Sequence, residues 1–290
     1  MRKISFLWLM LLGFIASAQV KGIVVDESNQ PVSFVNILVE NENNSTTSEE
    51  NGQFEINCQP EKNLIFSALG YEKKIVKASE TQKVILKVNA LELAEVVIEK
   101  KLESKEIEIG KVKYETYQAF ENGPRIDAKF FPYSAKYKKT KYIKKVSIFT
   151  DSQIESAGIK IHFYAANPDG SPGEELLQKD YLVSVKKGVK KTLFDVTDFS
   201  LKMPKTGLYV GFEKLIIERN KKERQIMDSN TKATTIQRDY YPFVLYNYVE
   251  KDFIYVFSKG KWQRQTKDDV ITTTDKMRVY EPAINLILTN

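Results

Sequence analysis

Residues 51–56 read Asn-Gly-Gln-Phe-Glu-Ile, a tight-turn dipeptide followed at once by alternating polar and apolar side chains. Asn-Gly favours a two-residue turn between antiparallel strands, and the alternation puts Phe54 and Ile56 on one face of a strand. The same alternation recurs on both sides of this turn, over residues 35–39 and 64–68. No long stretch repeats at the helical period. We therefore predict an antiparallel β-sandwich of about seven short strands.

The rest of the chain is also rich in alternating apolar residues, and its predicted strands are longer. A charged segment at residues 99–108 separates the two regions, and turn signals such as Asn167-Pro168-Asp169-Gly170 divide the second one. We predict a larger, jelly-roll-like β-sandwich there and an all-β protein overall. The predicted parts are a signal peptide (1–18), a first sandwich (19–98), a linker (99–108) and a second sandwich (109–290).

Several short motifs of the first sandwich occur in an order that resembles the carboxypeptidase-regulatory-like domain. This resemblance implies a small transthyretin-like β-sandwich of a kind common in exported bacterial proteins. It implies scaffold positions and no catalytic residue. Gly22 allows close approach of two backbones, and Gly52 supplies a positive φ. The motifs are Gly22-x-Val24-x-Asp26, Pro31-Val32, Val35 with Ile37, Thr46-Thr47, Asn51-Gly52-x-Phe54-x-Ile56 and Phe66-Ser67-Ala68-Leu69-Gly70-Tyr71.

The N-terminal residues predict export. Arg2 and Lys3 precede an apolar run over residues 4–15, and Ala16-Ser17-Ala18 is a small-residue cleavage site. The run is shorter than the ~20 residues that a bilayer span needs, so we expect cleavage before Gln19 and no transmembrane span. We expect a protein of the periplasm or cell surface of a Gram-negative bacterium. A net charge of +6 is too small to indicate a nucleic-acid partner.

Histidine usage argues against common catalytic sites. His162 is the only histidine, whereas a zinc carboxypeptidase needs two histidines and a glutamate. No Gly-x-Ser-x-Gly motif is present. We predict no enzymatic activity, no catalytic residue, no metal and no cofactor. His162 shares a strand face with Lys160, so we expect a structural or surface side chain whose replacement by alanine leaves folding nearly unchanged.

The strongest candidate for binding is a polar stretch over residues 218–239, a long loop that is either a binding loop, a disordered segment or a decorated hairpin. Loops of this length are usually functional or disordered, and aromatic strands follow it directly. Its excess of basic residues favours an anionic or polar partner, and we expect a glycan or an envelope protein. The sequence leaves the oligomeric state open. The candidate ligand-binding residues are Arg219, Lys221, Lys222, Arg224, Arg238, Tyr240, Tyr241 and Trp262.

Three function classes make different structural predictions. A glycan-binding domain predicts that Trp262 or exposed tyrosines form a flat platform. A protein-interaction domain predicts an apolar patch or an open sheet edge. The alternative to a binding protein is a carbohydrate- or peptide-directed hydrolase, which predicts two close, buried carboxylates in a cleft. The 38 acidic residues leave that alternative open, because a carboxylate pair is visible only in space.

Overall fold

A computed structural model of the chain describes residues 19–89, 105–111, 118–119, 125–227, 233–266 and 277–290. The predicted signal peptide and most of the predicted linker lie outside these residues. The described part is built almost entirely of strands, as the alternating sequence predicts. The strands of the first domain are β1 (Gln19–Asp26), β2 (Asn36–Val39), β3 (Ser45–Thr47), β4 (Gln53–Asn57), β5 (Asn63–Ser67), β6 (Lys74–Lys77) and β7 (Lys83–Leu86).

The first domain is a sandwich of two small sheets. One sheet has the strand order β4-β1-β7 and the other β3-β2-β5-β6. Strand alternation sends Ile37, Leu64 and Phe66 into the core between the sheets, where each is fully buried. Close packing explains one glycine, because a Cβ on Gly22 would lie 1.9 Å from the carbonyl oxygen of Thr81. Gly52 adopts φ +78°, as the turn requires. The predicted sandwich of seven strands is confirmed, but its strands are not all antiparallel, because β1 and β7 pair in parallel.

The second domain is a larger sandwich, which the chain builds by crossing repeatedly from one sheet to the other. Between the strands lie short 3-10 turns at Ala135–Lys139, Thr197–Phe199 and Glu218–Asn220. Its strands are β8 (Glu106–Ile109), β9 (Gln118–Ala119), β10 (Ile126–Phe131), β11 (Tyr142–Ser152), β12 (Ala157–Ala166), β13 (Pro172–Glu175), β14 (Tyr181–Val185), β15 (Gly188–Asp195), β16 (Leu208–Lys214), β17 (Lys221–Met227), β18 (Thr234–Tyr240), β19 (Phe243–Lys251), β20 (Phe253–Ser258), β21 (Lys261–Thr266), β22 (Met277–Pro282) and β23 (Ile284–Thr289).

The two sheets of the second domain enclose one core. The first sheet has the order β13-β12-β16-β10-β20-β21, with β14 also beside β12. The second has the order β22-β19-β11-β23-β8, with β15 beside β11 and β9 beside β19. Ile161, Phe163 and Val210 from the first sheet pack against Ile148 and Leu286 from the second. Strands β17 and β18 form a separate two-stranded hairpin.

Two predicted segments differ from the observed structure. Strand β8 lies inside the predicted linker of residues 99–108, because Ile107 and Ile109 pack against the core of the second domain. The stretch 218–239 is not a structureless loop. Most of it pairs as the β17–β18 hairpin, in which polar side chains on both faces hid the alternation that marks a half-buried strand.

Candidate functional site

The outer face of the first sheet of the second domain is polar at one end and aromatic at the other. Residues that face each other across neighbouring strands lie on the same side of a sheet. The register therefore aligns three rows of side chains across β12, β16 and β10. The rows are Lys160 with Glu213 and Ile126, His162 with Gly211 and Ala128, and Tyr164 with Tyr209 and Phe130.

His162 lies in the polar half, between two carboxylates. Its Nδ1 is 2.9 Å from Glu175 Oε2, and its Nε2 is 2.7 Å from Glu213 Oε2. Burial opposes the charge on the imidazole, but the hydrogen bonds to Glu175 and Glu213 outweigh it and raise the pKa of His162 to about 10. The ring is therefore an imidazolium that donates from both nitrogens. A general base needs a neutral imidazole with a pKa near the working pH, so this geometry does not favour His162 as one.

Glu213 is a buried carboxylate on β16. Burial raises its pKa, but the charge of Lys160 and the hydrogen bonds from His162 and Asn36 lower it to about 2. A general acid must carry a proton at neutral pH, and Glu213 does not. The predicted hydrolase would need two close carboxylates in a cleft, whereas Glu175 and Glu213 are both occupied by the same imidazolium.

Lys160 joins this cluster to the first domain. Its side chain is 2% exposed, and Nζ lies 2.8 Å from Asp180 Oδ2. Nζ also donates a hydrogen bond of 2.6 Å to the backbone carbonyl oxygen of Phe34 in the first domain. We call Lys160, His162, Glu175, Asp180 and Glu213 the charge clasp.

Phe34 is the residue of the first domain that reaches furthest into the second. Its backbone has φ +56°, which is uncommon for a bulky side chain and needs support from its surroundings. That support is a small apolar cluster with Leu215 and Ile217, both fully buried. The guanidinium of Arg219 lies over the Phe34 ring, 5.6 Å from its centre. Arg219, a predicted ligand-binding residue, is thus part of the contact between the domains.

The interface between the domains extends beyond Phe34. The backbone N–H of Ile216 donates to Thr47 Oγ1 at 3.1 Å, and that of Glu218 donates to Glu49 Oε1 at 2.8 Å. A half-open pocket of about 310 Å³ remains between the outer face of β2 and β5 and the charge clasp. The charges that face it from the clasp already pair with one another. We therefore interpret the clasp as a structural element.

A second opening lies at the aromatic end of the sheet. Among the described residues, β10 and β20 pair only at Ile126 and Phe257, and the two strands separate beyond this pair. A cleft of about 500 Å³ lies where they separate, and β22 of the opposite sheet forms another part of its wall. We call it the aromatic cleft, after Phe130, Tyr209, Phe253, Tyr255 and Tyr280 in its lining.

Charged groups line the aromatic cleft beside these rings. Arg125 Nε lies 2.8 Å from Asp127 Oδ1, and the hydroxyl of Tyr246 donates to Asp127 Oδ2 at 2.7 Å. Glu281 pairs with Lys251 and, at 3.4 Å, with Lys129. Glu250, near the end of β19, and Asp252, at the turn between β19 and β20, also contribute to the lining. The cleft thus combines aromatic surfaces with ionic groups, a composition typical of ligand sites.

Trp262 supports the wall of the cleft but does not form a flat platform. It lies on β21, where its ring meets Tyr164 and Phe257 at centroid distances of 5.3 Å and 5.2 Å. Both contacts are edge-to-face, so the rings pack as a small cluster and cover one another. Tyr209 of the cleft lies 6.5 Å from Trp262. The indole therefore lies next to Tyr209 of the cleft lining, and we expect its fluorescence to respond to changes in the cleft.

The basic residues predicted for binding lie mainly in the β17–β18 hairpin, and most of them have partners. Lys221 pairs with Glu218 at 2.7 Å, and Lys222 donates to Gln153 at 2.7 Å. The remaining ion pairs are Arg224 with Asp239 and Arg238 with Glu223.

The predicted binding residues therefore do not meet at one site. Lys221, Arg238 and Tyr240 line a broad groove of about 1280 Å³ between the hairpin and the first domain. Tyr241 is 1% exposed and belongs to the core, where it stacks on Phe243. The prediction that Tyr241 contacts a ligand is wrong, because its chain position after the hairpin puts it at the start of a buried strand.

The sequence did not reveal the aromatic cleft. Strand β10, which supplies one wall, was not among the predicted strands, and the alternating aromatics of β20 gave only a weak signal. In the described parts of the chain, no cluster of His, Cys, Asp and Glu is arranged to hold a metal ion. The same parts contain no helix of sufficient length and apolarity to cross a membrane.

Comparison with known families identifies the first domain. Residues 20–98 match the family described as the CarboxypepD_reg-like domain. This match confirms the resemblance seen in the sequence motifs and covers the seven strands of the first sandwich. The match does not extend into the second domain, which carries the aromatic cleft. A search of curated proteins found no match to the chain.

Proposed function

We propose that this chain is an exported, non-enzymatic binding protein of the bacterial envelope that recognises a glycan through its second domain. The first domain serves as a scaffold that is fixed to the second by the charge clasp and by Phe34. The basic, apolar and small-residue segments at residues 1–18 support export.

The aromatic cleft is the observation that carries this proposal. Sugar rings present apolar C–H faces and hydroxyl edges, so their sites combine aromatic rings with polar side chains. The cleft offers both, from Tyr255 and Tyr280 on the aromatic side and from Asp127, Glu250 and Asp252 on the polar side. Its volume of about 500 Å³ lies within the usual range of roughly 300–1,000 Å³ for small-ligand sites.

The state of the only histidine supports the non-enzymatic part of the proposal. His162 is held as an imidazolium between Glu175 and Glu213, far from the role of a general base. In the aromatic cleft, Asp127 and Glu281 are each paired with cations.

Glycan capture by the exported chain (residues 19–290) tests the proposal. Immobilised peptidoglycan, lipopolysaccharide and neutral polysaccharides serve as probes, and we expect at least one of them to retain the chain. Tyr280→Ala should weaken capture by about tenfold or more, because interface aromatics often contribute 2 kcal/mol or more to binding. Tyr280 is 45% exposed, so the variant should fold.

Tyr133→Ala is the matched control, since Tyr133 is 36% exposed and does not line the cleft. Capture that is unchanged by Tyr280→Ala, or weakened equally by both variants, would contradict the role of the cleft. Failure of every glycan probe would contradict glycan recognition itself.

An envelope protein is the second candidate partner. The β17–β18 hairpin projects three apolar side chains into solvent, Ile226 (43% exposed), Ile236 (55%) and Met227 (64%). Exposed apolar groups on an unpaired hairpin favour contact with another protein. A protein that the chain retains after Tyr280→Ala, and loses after shortening of the hairpin, would support this candidate instead.

A further inference from the structure

Carboxylates outnumber cations in the described lining of the aromatic cleft, although the whole protein is positively charged. The chain carries a net charge of +6. The described lining of the cleft contains two cations, Arg125 and Lys251, against four carboxylates. The carboxylates are Asp127, Glu250, Asp252 and Glu281. Two further cations, Lys129 and Arg264, lie beside this lining, so the cations and carboxylates of the region are equal in number. The position of each charge, rather than their sum, decides what the cleft attracts.

Internal ion pairs account for part of this excess but not for Asp252. Asp127 and Glu281 pair with Arg125, Lys129 and Lys251. Asp252 is exposed at the turn between β19 and β20, and none of the described cations lies within ion-pair distance of it. Its carboxylate is therefore available to a ligand that lies in the cleft.

The aromatic rings strengthen the same preference. The negative face of an aromatic ring attracts a cation that lies within about 6 Å of its centre. One such contact already exists at the rim, where the guanidinium of Arg264 lies 4.4 Å from the centre of the Phe253 ring. Tyr255 and Tyr280 offer further rings beside Asp252. A ligand that brings an ammonium group gains from the rings and from the carboxylate together.

We propose that the aromatic cleft selects glycans that contain an amino sugar with a free, protonated amine. This inference rests on the proposed glycan-binding function and names the ligand class of the same site. The ammonium lies between Asp252 and the tyrosine rings, and the apolar face of the sugar lies against the aromatic wall. N-acetylation removes the charge and with it both interactions.

Titration with defined oligosaccharides tests this selectivity. The probes are tetrameric chitosan, which carries free amines, its fully N-acetylated counterpart and tetralysine, all at about pH 5, where the amines of both the sugar and lysine are protonated. Trp262 is the only tryptophan of residues 19–290 and lies behind the cleft wall, so its fluorescence reports binding. We expect chitosan to bind up to about fivefold more tightly than the acetylated tetramer, as one exposed ion pair allows.

Asp252→Asn should abolish most of this preference, whereas Asp198→Asn, at an exposed aspartate outside the cleft, should preserve it. Equal binding of the two tetramers would overturn the amine inference and leave glycan binding intact. An unchanged preference in Asp252→Asn, or equally tight binding of tetralysine, would overturn it as well. If neither tetramer binds and no other glycan is captured, the proposed function itself fails.

Discussion

The charge clasp and the aromatic cleft lie on the same sheet, but they differ in whether their charged side chains are covered and paired. In the clasp, the first domain covers Lys160, His162 and Glu213, and each of these charges has a partner of opposite sign. In the cleft, Tyr280 is exposed, Tyr255 is half-buried, and the exposed Asp252 has no described cationic partner. The comparison teaches that a covered charge must be paired to be tolerated, whereas an accessible charge is available for a ligand.

This difference separates effects on folding from effects on binding. Removal of one member of the clasp leaves a buried charge without its partner, at a large cost in the free energy of unfolding. Removal of a side chain from the cleft changes the surface that contacts a ligand, so its effect is on binding. Substitutions in the two regions should therefore have effects that barely overlap.

The largest expected effect follows from Lys160→Met. The substitution keeps a long side chain but removes the ammonium that pairs with Asp180 and binds the carbonyl oxygen of Phe34. We expect the free energy of unfolding to fall by about 3–5 kcal/mol, the usual cost of breaking a buried ion pair. Urea unfolding followed by Trp262 fluorescence measures it. Lys186→Met, at an exposed lysine, is the control, and equal stability of the two variants would contradict a structural clasp.

The next effect concerns pH. The folded-state pKa of His162, about 10, lies above its ordinary value of 6.5, so its contribution to stability is complete below pH 6.5 and is lost as the pH rises towards 10. The pKa of Glu213, about 2, lies below its ordinary value of 4.5, so its contribution is present above pH 4.5 and is lost as the pH falls towards 2. The clasp is therefore most stabilising between these ordinary values.

Comparison of the wild type with His162→Gln isolates this effect. Subtraction of the two profiles removes the titration of groups that both proteins share. We expect the wild type to be more stable at pH 6 and the difference to shrink steadily as the pH approaches 10. A stability difference that stays constant over this pH range would show that folding does not raise the pKa of His162. The sequence-based expectation that His162→Ala leaves folding nearly unchanged contrasts with the buried position of the ring.

The smallest effect is expected in the hairpin. Asp239 is 1% exposed and pairs with Arg224, so a shortened hairpin must retain both residues. Replacement of residues 226–235 by Asn-Gly joins Gln225 to Ile236, which already pair. We expect a loss of less than about 1 kcal/mol, because residues 226–227 and 233–235, the described members of the removed part, are exposed and loop closure depends weakly on length. A loss of several kcal/mol in urea unfolding would mean that the hairpin tip supports the fold.

The sequence was sufficient for the first domain because its signals are local. Gly22, Gly52 and the alternation of Phe54 and Ile56 each depend on neighbouring residues, and all have the predicted structure. The parity of His162 with Lys160 was also correct. Sequence parity cannot tell which face of a strand is covered, however. The cover comes from Phe34, which is 126 residues away from Lys160 along the chain.

The candidate site was harder to predict for the same reason. Glu213 lies 51 residues from His162, and the cleft exists because β10 and β20 separate after a single pair. Neither fact leaves a pattern in the sequence. Arg224 and Arg238 were predicted to bind a ligand because basic residues are close together in this part of the sequence. In the structure, acidic residues pair with both of them across the hairpin.

Hydrogen exchange of the chain with and without tetrameric chitosan and its acetylated counterpart tests the location of binding most directly. If the aromatic cleft is the site, added oligosaccharide slows backbone exchange in β10 and β20 and leaves β2 and β5, above the charge clasp, unchanged. Protection that appears in the β17–β18 hairpin, or at the interface between the domains, and not in β10 and β20, would contradict the division of this sheet into a structural half and a binding half.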